Sequence, residues 1–185
     1  QVRLYLALRE SARVALFADV PWLGPQLLGT VQAYARDIRI DTDGIERKLS
    51  EMNASTPEQM QQALADTLFS PEPSAAQKAA LVRLETLLAL VEGWVDVVAG
   101  KASEGRLPQV GALAEAVRRR RASGGPAEAI FGNLVGLQLR PRRLRDAANL
   151  FSALESAGGA AVRDAAWAHP DVAPTAADLD DVLGY

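Results

Sequence analysis

The 185-residue chain has no cysteine and a single histidine. Without thiols there can be neither a disulfide framework nor a thiolate metal site, and nothing points to an oxidising compartment, so a cytoplasmic protein is the simplest expectation. His169, in the turn-like A-H-P-D, cannot by itself supply the imidazoles of a conventional zinc site. A serine triad would have to recruit that same histidine, in a chain that also lacks a Gly-x-Ser-x-Gly elbow. No apolar run reaches the ~20 residues needed to cross a bilayer, so no membrane partner is expected. Nor does any stretch alternate β-branched and polar residues in the manner of a strand.

What is present is helical. Hydrophobic residues make up 49% and charged residues 23% of the chain, enough for one domain with a proper core over residues 1–185. Gln1 is not an initiator methionine and V-R-L-Y-L-A-L is already helical in pattern, so we expect the C-terminal part of a longer protein. Over Val2 to Val20 the apolar stripe Val2, Leu6, Leu16, Val20 keeps helical spacing, with Arg9 and Arg13 filling its gap and so pointing toward the core. Leu4, Leu8, Ala12 and Ala15 suggest a second packed face, and Pro21 forces an exit. A second helix is expected from about Trp22 or Pro25 to Arg39, burying Leu27, Leu28, Val31 and Tyr34, before a turn at Asp41 to Gly44. Short helices at Ile45 to Met52 and from Pro57 to near Phe69 precede a loop from Ser70 to Ser74.

The longest helix is predicted from about Ala75 to Gly100, on Leu81, Leu84, Leu88, Val91, Val95 and Val98. Glu85, Glu92 and Asp96 interrupt it with acid on one face. Helices follow over Leu107 to Arg121, Pro126 to about Leu137 and Arg140 to Ala157, with breaks at Ser123 to Pro126 and at Gly158-Gly159. A last small helix should carry Val162 and Trp167 ahead of a Pro-containing tail.

The chain is organised around Leu6 to Leu23, whose centre reads Arg9, Glu10, Ser11, Ala12, Arg13. With histidine in place of the arginines this would be H-E-x-x-H, in which two imidazoles one turn apart hold zinc and the glutamate activates bound water. Together with V-P-W-L downstream, L-L-A-L-V-E-G-W-V-D-V-V-A-G at 87–100, the basic run and Gly124-Gly125-Pro126 within 117–139, and R-L-R-D-A-A-N-L-F at 143–151, it resembles the actinobacterial zinc-dependent metalloprotease family. Members of that family are also described as hydrolases associated with deazaflavin-coenzyme biosynthesis.

The resemblance implies a zincin-like, all-α domain with the motif helix packed on the long buried helix. It also implies that Arg9 and Arg13 stand for the two histidine ligands, that Glu10 stands for the general base, and that Trp94 stands for the histidine of a Glu-Gly-His segment holding Glu92. Guanidinium stays protonated and repels a divalent cation, so arginine cannot serve as a ligand. We therefore expect no metal, no cofactor and no catalytic residue. Arg9, Glu10, Arg13, Glu92 and Trp94 are read as the remnant of an active site, and Arg9, Arg13, Glu92 and Asp96 as structural ion pairs, since an unpaired buried guanidinium would cost several kcal/mol.

A second class of function is anion binding through Arg118 to Arg121 and Arg140, Arg142, Arg143 and Arg145. Four consecutive arginines spread round a helix, Phe131 is the only nearby aromatic, and a net charge of −3 disfavours nucleic acid, so a solvated face with internal salt bridges is the better reading. The sequence thus points to an inactive metallopeptidase homologue that binds a protein or peptide-like ligand in the former active-site cleft. A residual metal-independent hydrolase, with Glu10 as base, is the alternative.

Overall fold

The computed structural model describes residues 1–36, 74–122, 140–181 and 184–185, and among these every regular element is a helix. They are α1 (Val2–Asp19), α2 (Leu23–Arg36), α3 (Ala75–Ser103), α4 (Val110–Ala122), α5 (Pro141–Ala165) and α6 (Ala176–Asp180). The helices expected at Ile45 to Met52, Pro57 to Phe69 and Pro126 to Leu137, the turn at Asp41 to Gly44, the break over Ser123 to Pro126 and the loop up to Pro73 lie outside the described residues.

Helix α3 is the axis of the domain. Its start is fixed by a capping box in which the Ser74 side chain accepts from the Gln77 N–H at 3.1 Å and the Gln77 side chain accepts from the Ser74 N–H at 2.8 Å. In its middle Ala89, Leu90, Val91, Gly93, Trp94 and Val95 are all buried, so the helix is enclosed on every side rather than along one stripe. The other five helices each pack against it. It runs one turn beyond the predicted end at Gly100, because Ser103 satisfies its buried hydroxyl on the Ala99 carbonyl at 2.6 Å.

Helix α1 buries Arg9, Leu16 and Val20 as expected, but at its start Tyr5 takes the place of Val2 and Leu6. Tyr5, Arg9, Ala12, Leu16 and Val20 are buried, whereas Val2 and Leu6 are 56% and 43% exposed, and Leu4 faces solvent too. The helix ends where the Val20 N–H bonds to the Leu16 carbonyl, just before Pro21. Helix α2 then packs through Leu23, Leu27 and Thr30, leaving Leu28 and Val31 exposed against expectation. Thr30 can be buried because its hydroxyl bonds the Gln26 carbonyl at 2.8 Å within the same helix.

Helix α4 starts at Val110, later than predicted, and closes a small second core of Tyr5, Leu107 and Ala114. Helix α5 opens with Pro141 in its first turn, where the missing N–H costs nothing. Gly158 and Gly159 break its geometry without ending it, Gly159 taking φ 76°. Val162 lies on the segment beyond this kink, while Trp167 follows the end of the helix in a turn. Trp167 stacks on Phe151 with ring centroids 5.6 Å apart, and its carbonyl accepts from the Trp22 indole at 2.9 Å, tying the α1–α2 corner to the chain beyond α5. The short α6, not anticipated from the Pro-containing tail, is capped by Thr175 and Asp178. Among the described residues no single helix is long and apolar enough to cross a membrane.

Helices α3 and α5 approach each other closely at Gly93. A Cβ added to Gly93 would lie 2.7 Å from the backbone of Ala147 and Ala148, whereas one added to Gly100 would meet nothing within 4 Å. Gly93→Ala should therefore destabilise the domain by about 1–3 kcal/mol through overpacking, while Gly100→Ala should stabilise it by about 0.5–1 kcal/mol through helix propensity. Denaturant melts of both variants check this, and a neutral Gly93→Ala would mean that α3 and α5 can separate without cost.

Candidate active site

Glu92 and Asp96 are one turn apart on α3 and face α1, where Arg9 and Arg13 are also one turn apart. Arg9, 3% exposed, donates from Nη2 to Glu92 Oε2 at 3.1 Å and from Nη1 to Asp96 Oδ1. Arg13 donates from Nη2 to the other Glu92 oxygen at 2.7 Å and from Nη1 to Glu10. Each carboxylate on α3 thus serves two guanidinium groups.

The pattern continues into α4. Asp96 Oδ2 accepts from Arg118 Nε at 3.0 Å, Arg118 lies 3.7 Å from Glu115, and Glu115 accepts from Arg119 Nε at 2.8 Å. Glu10, Arg13, Glu92, Arg9, Asp96, Arg118, Glu115 and Arg119 therefore form a neutral chain of alternating sign that crosses three helices. It is solvated at both ends, where Glu10 and Arg119 have side chains 65% and 80% exposed, and dry at Arg9. The hydrogen bond and charge of Arg119 hold the Glu115 carboxyl below its usual range, with Arg118 and Arg145 adding to the effect. The sequence reading missed Arg118, Glu115 and Arg119 as members of this chain. The available signal was Glu115, which stands three and four residues before two of the arginines in the basic run.

Trp94 is not brought into this group. Residues 92 and 96 share a face, whereas residue 94 points to the far side of α3. There its indole donates to Asp164 Oδ1 at 2.8 Å, and the Arg163 guanidinium lies 5.3 Å from its ring centroid. Arg163, itself buried, donates to Glu155 at 2.8 Å and to both Asp164 oxygens at 2.8 and 2.9 Å. Burial alone would raise the Asp164 carboxyl, but the hydrogen bonds from Arg163 and Trp94 and the guanidinium charge outweigh it and hold the group below the ordinary aspartate range.

His169 stands apart from both groups, exposed, with Nδ1 accepting from the Asp171 N–H at 3.2 Å. Of the second basic cluster, Arg142 lies 3.6 Å from Asp146, and Arg143 meets Asp180 at 2.8 Å and the Ala176 carbonyl at 3.2 Å. A cleft of about 190 Å³ opens over Arg9, Glu92 and Asp96, bounded by α4 and the first turns of α5.

A family model described as zincin-like metallopeptidase matches residues 1–185. No curated protein and no solved structure gives a significant match. The zinc that this family implies does not fit the residues present. Arg9 and Arg13 have no lone pair to offer, and the oxygens of Glu92 and Asp96 are taken by guanidinium hydrogens. Among the described residues no group of three or more His, Cys, Asp or Glu could hold a metal ion.

Glu92→Ala should destabilise the domain by about 3–5 kcal/mol, because it removes the acceptor that Arg9 and Arg13 share and leaves buried positive charge undercompensated. A variant that unfolds at the parent's denaturant concentration would refute this. For Asp164 the folded carboxyl titrates below the unfolded one, so its contribution is complete above the ordinary value of ~3.9 and fades as pH falls through the lower folded value. Asp164→Asn should accordingly lower the melting temperature at neutral pH and make its decline below the ordinary aspartate range shallower than in the parent. Parallel declines would contradict the assignment.

Proposed function

The chain belongs to the zincin-like metallopeptidase family, and we propose that it is a non-catalytic member, a helical scaffold that binds a protein or peptide-like ligand in the cleft where its relatives carry out hydrolysis. The observation that carries this reading is the bonding of Arg9. At the first ligand position of the H-E-x-x-H pattern stands a buried guanidinium, held by the two carboxylates that face it from α3. A group that is always cationic and hydrogen-bonded to both carboxylates neither coordinates a divalent cation nor leaves Glu92 and Asp96 able to do so.

Glu10, in the place of the general base, supports the same conclusion. Its carboxylate accepts a hydrogen bond from Arg13, the side chain at the second ligand position, and is so tied into the same ion chain. What the cleft retains is shape and charge: ordered donors and acceptors held on rigid helices beside an apolar wall, as a binding site requires.

Metal analysis of the purified protein, paired with peptidase turnover measured with and without added zinc, tests this reading. We expect no stoichiometric zinc and no turnover in either condition. About one zinc per chain with zinc-dependent cleavage would overturn the reading. Zinc-independent cleavage abolished by Glu10→Gln would replace it with a metal-free hydrolase.

A further inference from the structure

The charge chain from Glu10 to Arg119 is neutral, but the cleft above it is not. Its walls carry Arg9, Arg118, Arg119 and Arg145 against Glu92, Asp96 and Glu115, and the charge left over is that of Arg145. Arg145 is exposed and makes no ion pair among the described residues, in contrast to Arg118 and Arg119 on the opposite wall. Between these cations the surface is apolar, made by Val117 of α4 and by Pro141, Leu144 and Ala148 of α5. A cleft of about 190 Å³ is below the ~300 Å³ at which whole small-molecule ligands are usually enclosed. It has room for one apolar side chain with a carboxylate beside it.

A second cavity, of about 330 Å³, adjoins the first and shares Asp96, Arg118 and Ala148 with it, so the Arg118–Asp96 pair forms the sill between them. Its lining is polar: Lys101 and Glu104 at the end of α3, and Asn149, Ser152 and Ser156 on α5. From Pro141 to Ser156 the two cavities follow α5 for about 22 Å at the helical rise, the span of about six or seven extended residues. The first cavity thus offers an apolar seat with one positive charge in excess, and the second offers side chains that can bond a peptide backbone.

We propose that this groove binds the C-terminal end of a polypeptide, with an apolar last residue in the first cavity, its carboxylate at Arg145 and Arg119, and the preceding residues crossing the Arg118–Asp96 sill. This names the ligand class for the non-catalytic reading above and rests on it only in that the bound chain is not cleaved. Recognition needs the terminal carboxylate, because an amide cannot answer the charge of Arg145.

The test is a titration of the whole chain, followed by calorimetry or by amide chemical shifts, with N-acetyl-Ala-Ala-Leu as free acid, the same peptide as C-terminal amide, and N-acetyl-leucine. The acid should bind, the amide about tenfold more weakly, and Arg145→Gln should weaken the acid by a similar factor without affecting the amide, as loss of a charge-assisted hydrogen bond requires. An unchanged melting temperature shows that Arg145→Gln has left the fold intact. Equal binding of acid and amide, no binding of either, or indifference to Arg145→Gln would overturn the proposal. N-acetyl-leucine binding as tightly as the tripeptide would replace the chain terminus with a free small acid. Cleavage of the peptide on adding zinc would defeat the non-catalytic reading instead, while the acid-to-amide ratio still decides the binding proposal.

Discussion

A guanidinium group that is 3% exposed must find acceptors inside the protein, and Arg9 finds them on a different helix. That requirement sets how α1 lies on α3. Glu92 and Asp96 bind from one turn apart, so neither a slide along the axis nor a rotation of α1 keeps both bonds. The charge is then passed outward, to Arg13 and Glu10 on one side and to Arg118, Glu115 and Arg119 on the other, until both ends of the chain meet water. Burying ion pairs rarely adds net stability compared with apolar packing. What this chain contributes is register.

The rest of the core frees α3 to hold that position. Gly93 lets the α5 backbone come so close that even a methyl group would clash, and the buried Ala147, Leu150 and Phe151 fill the seam. On the same side Trp94 leans on Arg163 and Asp164, so the two polar groups that face each other across α3, at Glu92 and at Trp94, are each neutralised locally. Helices α4 and α5 then stand over Asp96 as the walls of the groove, with Arg118 bonded across its floor.

Much of this is legible in the sequence. The stop at Pro21 and the helix starts near Ala75 and Arg140 are located to within a residue or two, because each is a local backbone effect. The spacing of Arg9 with Arg13 and of Glu92 with Asp96 can also be read directly, since positions one turn apart share a face whatever the tertiary fold. Which face is buried is a tertiary matter. Val2, Leu6, Leu28 and Val31 are apolar and exposed, while Arg9 and Thr30 are polar and buried, because their hydrogen bonds are met. Arg118 was hidden for the same reason: within a run of arginines nothing local distinguishes the one that reaches α3 from those that reach solvent.

The Arg9 charge is tolerable in the core only because two carboxylates meet it. The direct measurement compares Glu92→Leu with Asp96→Leu, Arg9 retained, against the same pair combined with Arg9→Met, each by denaturant unfolding. Removing both acceptors should cost about 3–5 kcal/mol, and adding Arg9→Met should restore most of that loss, since an apolar trio of similar volume leaves no buried charge. If Arg9→Met recovers nothing, the guanidinium was never dependent on those carboxylates, and the ion chain does not set the packing of α1 on α3.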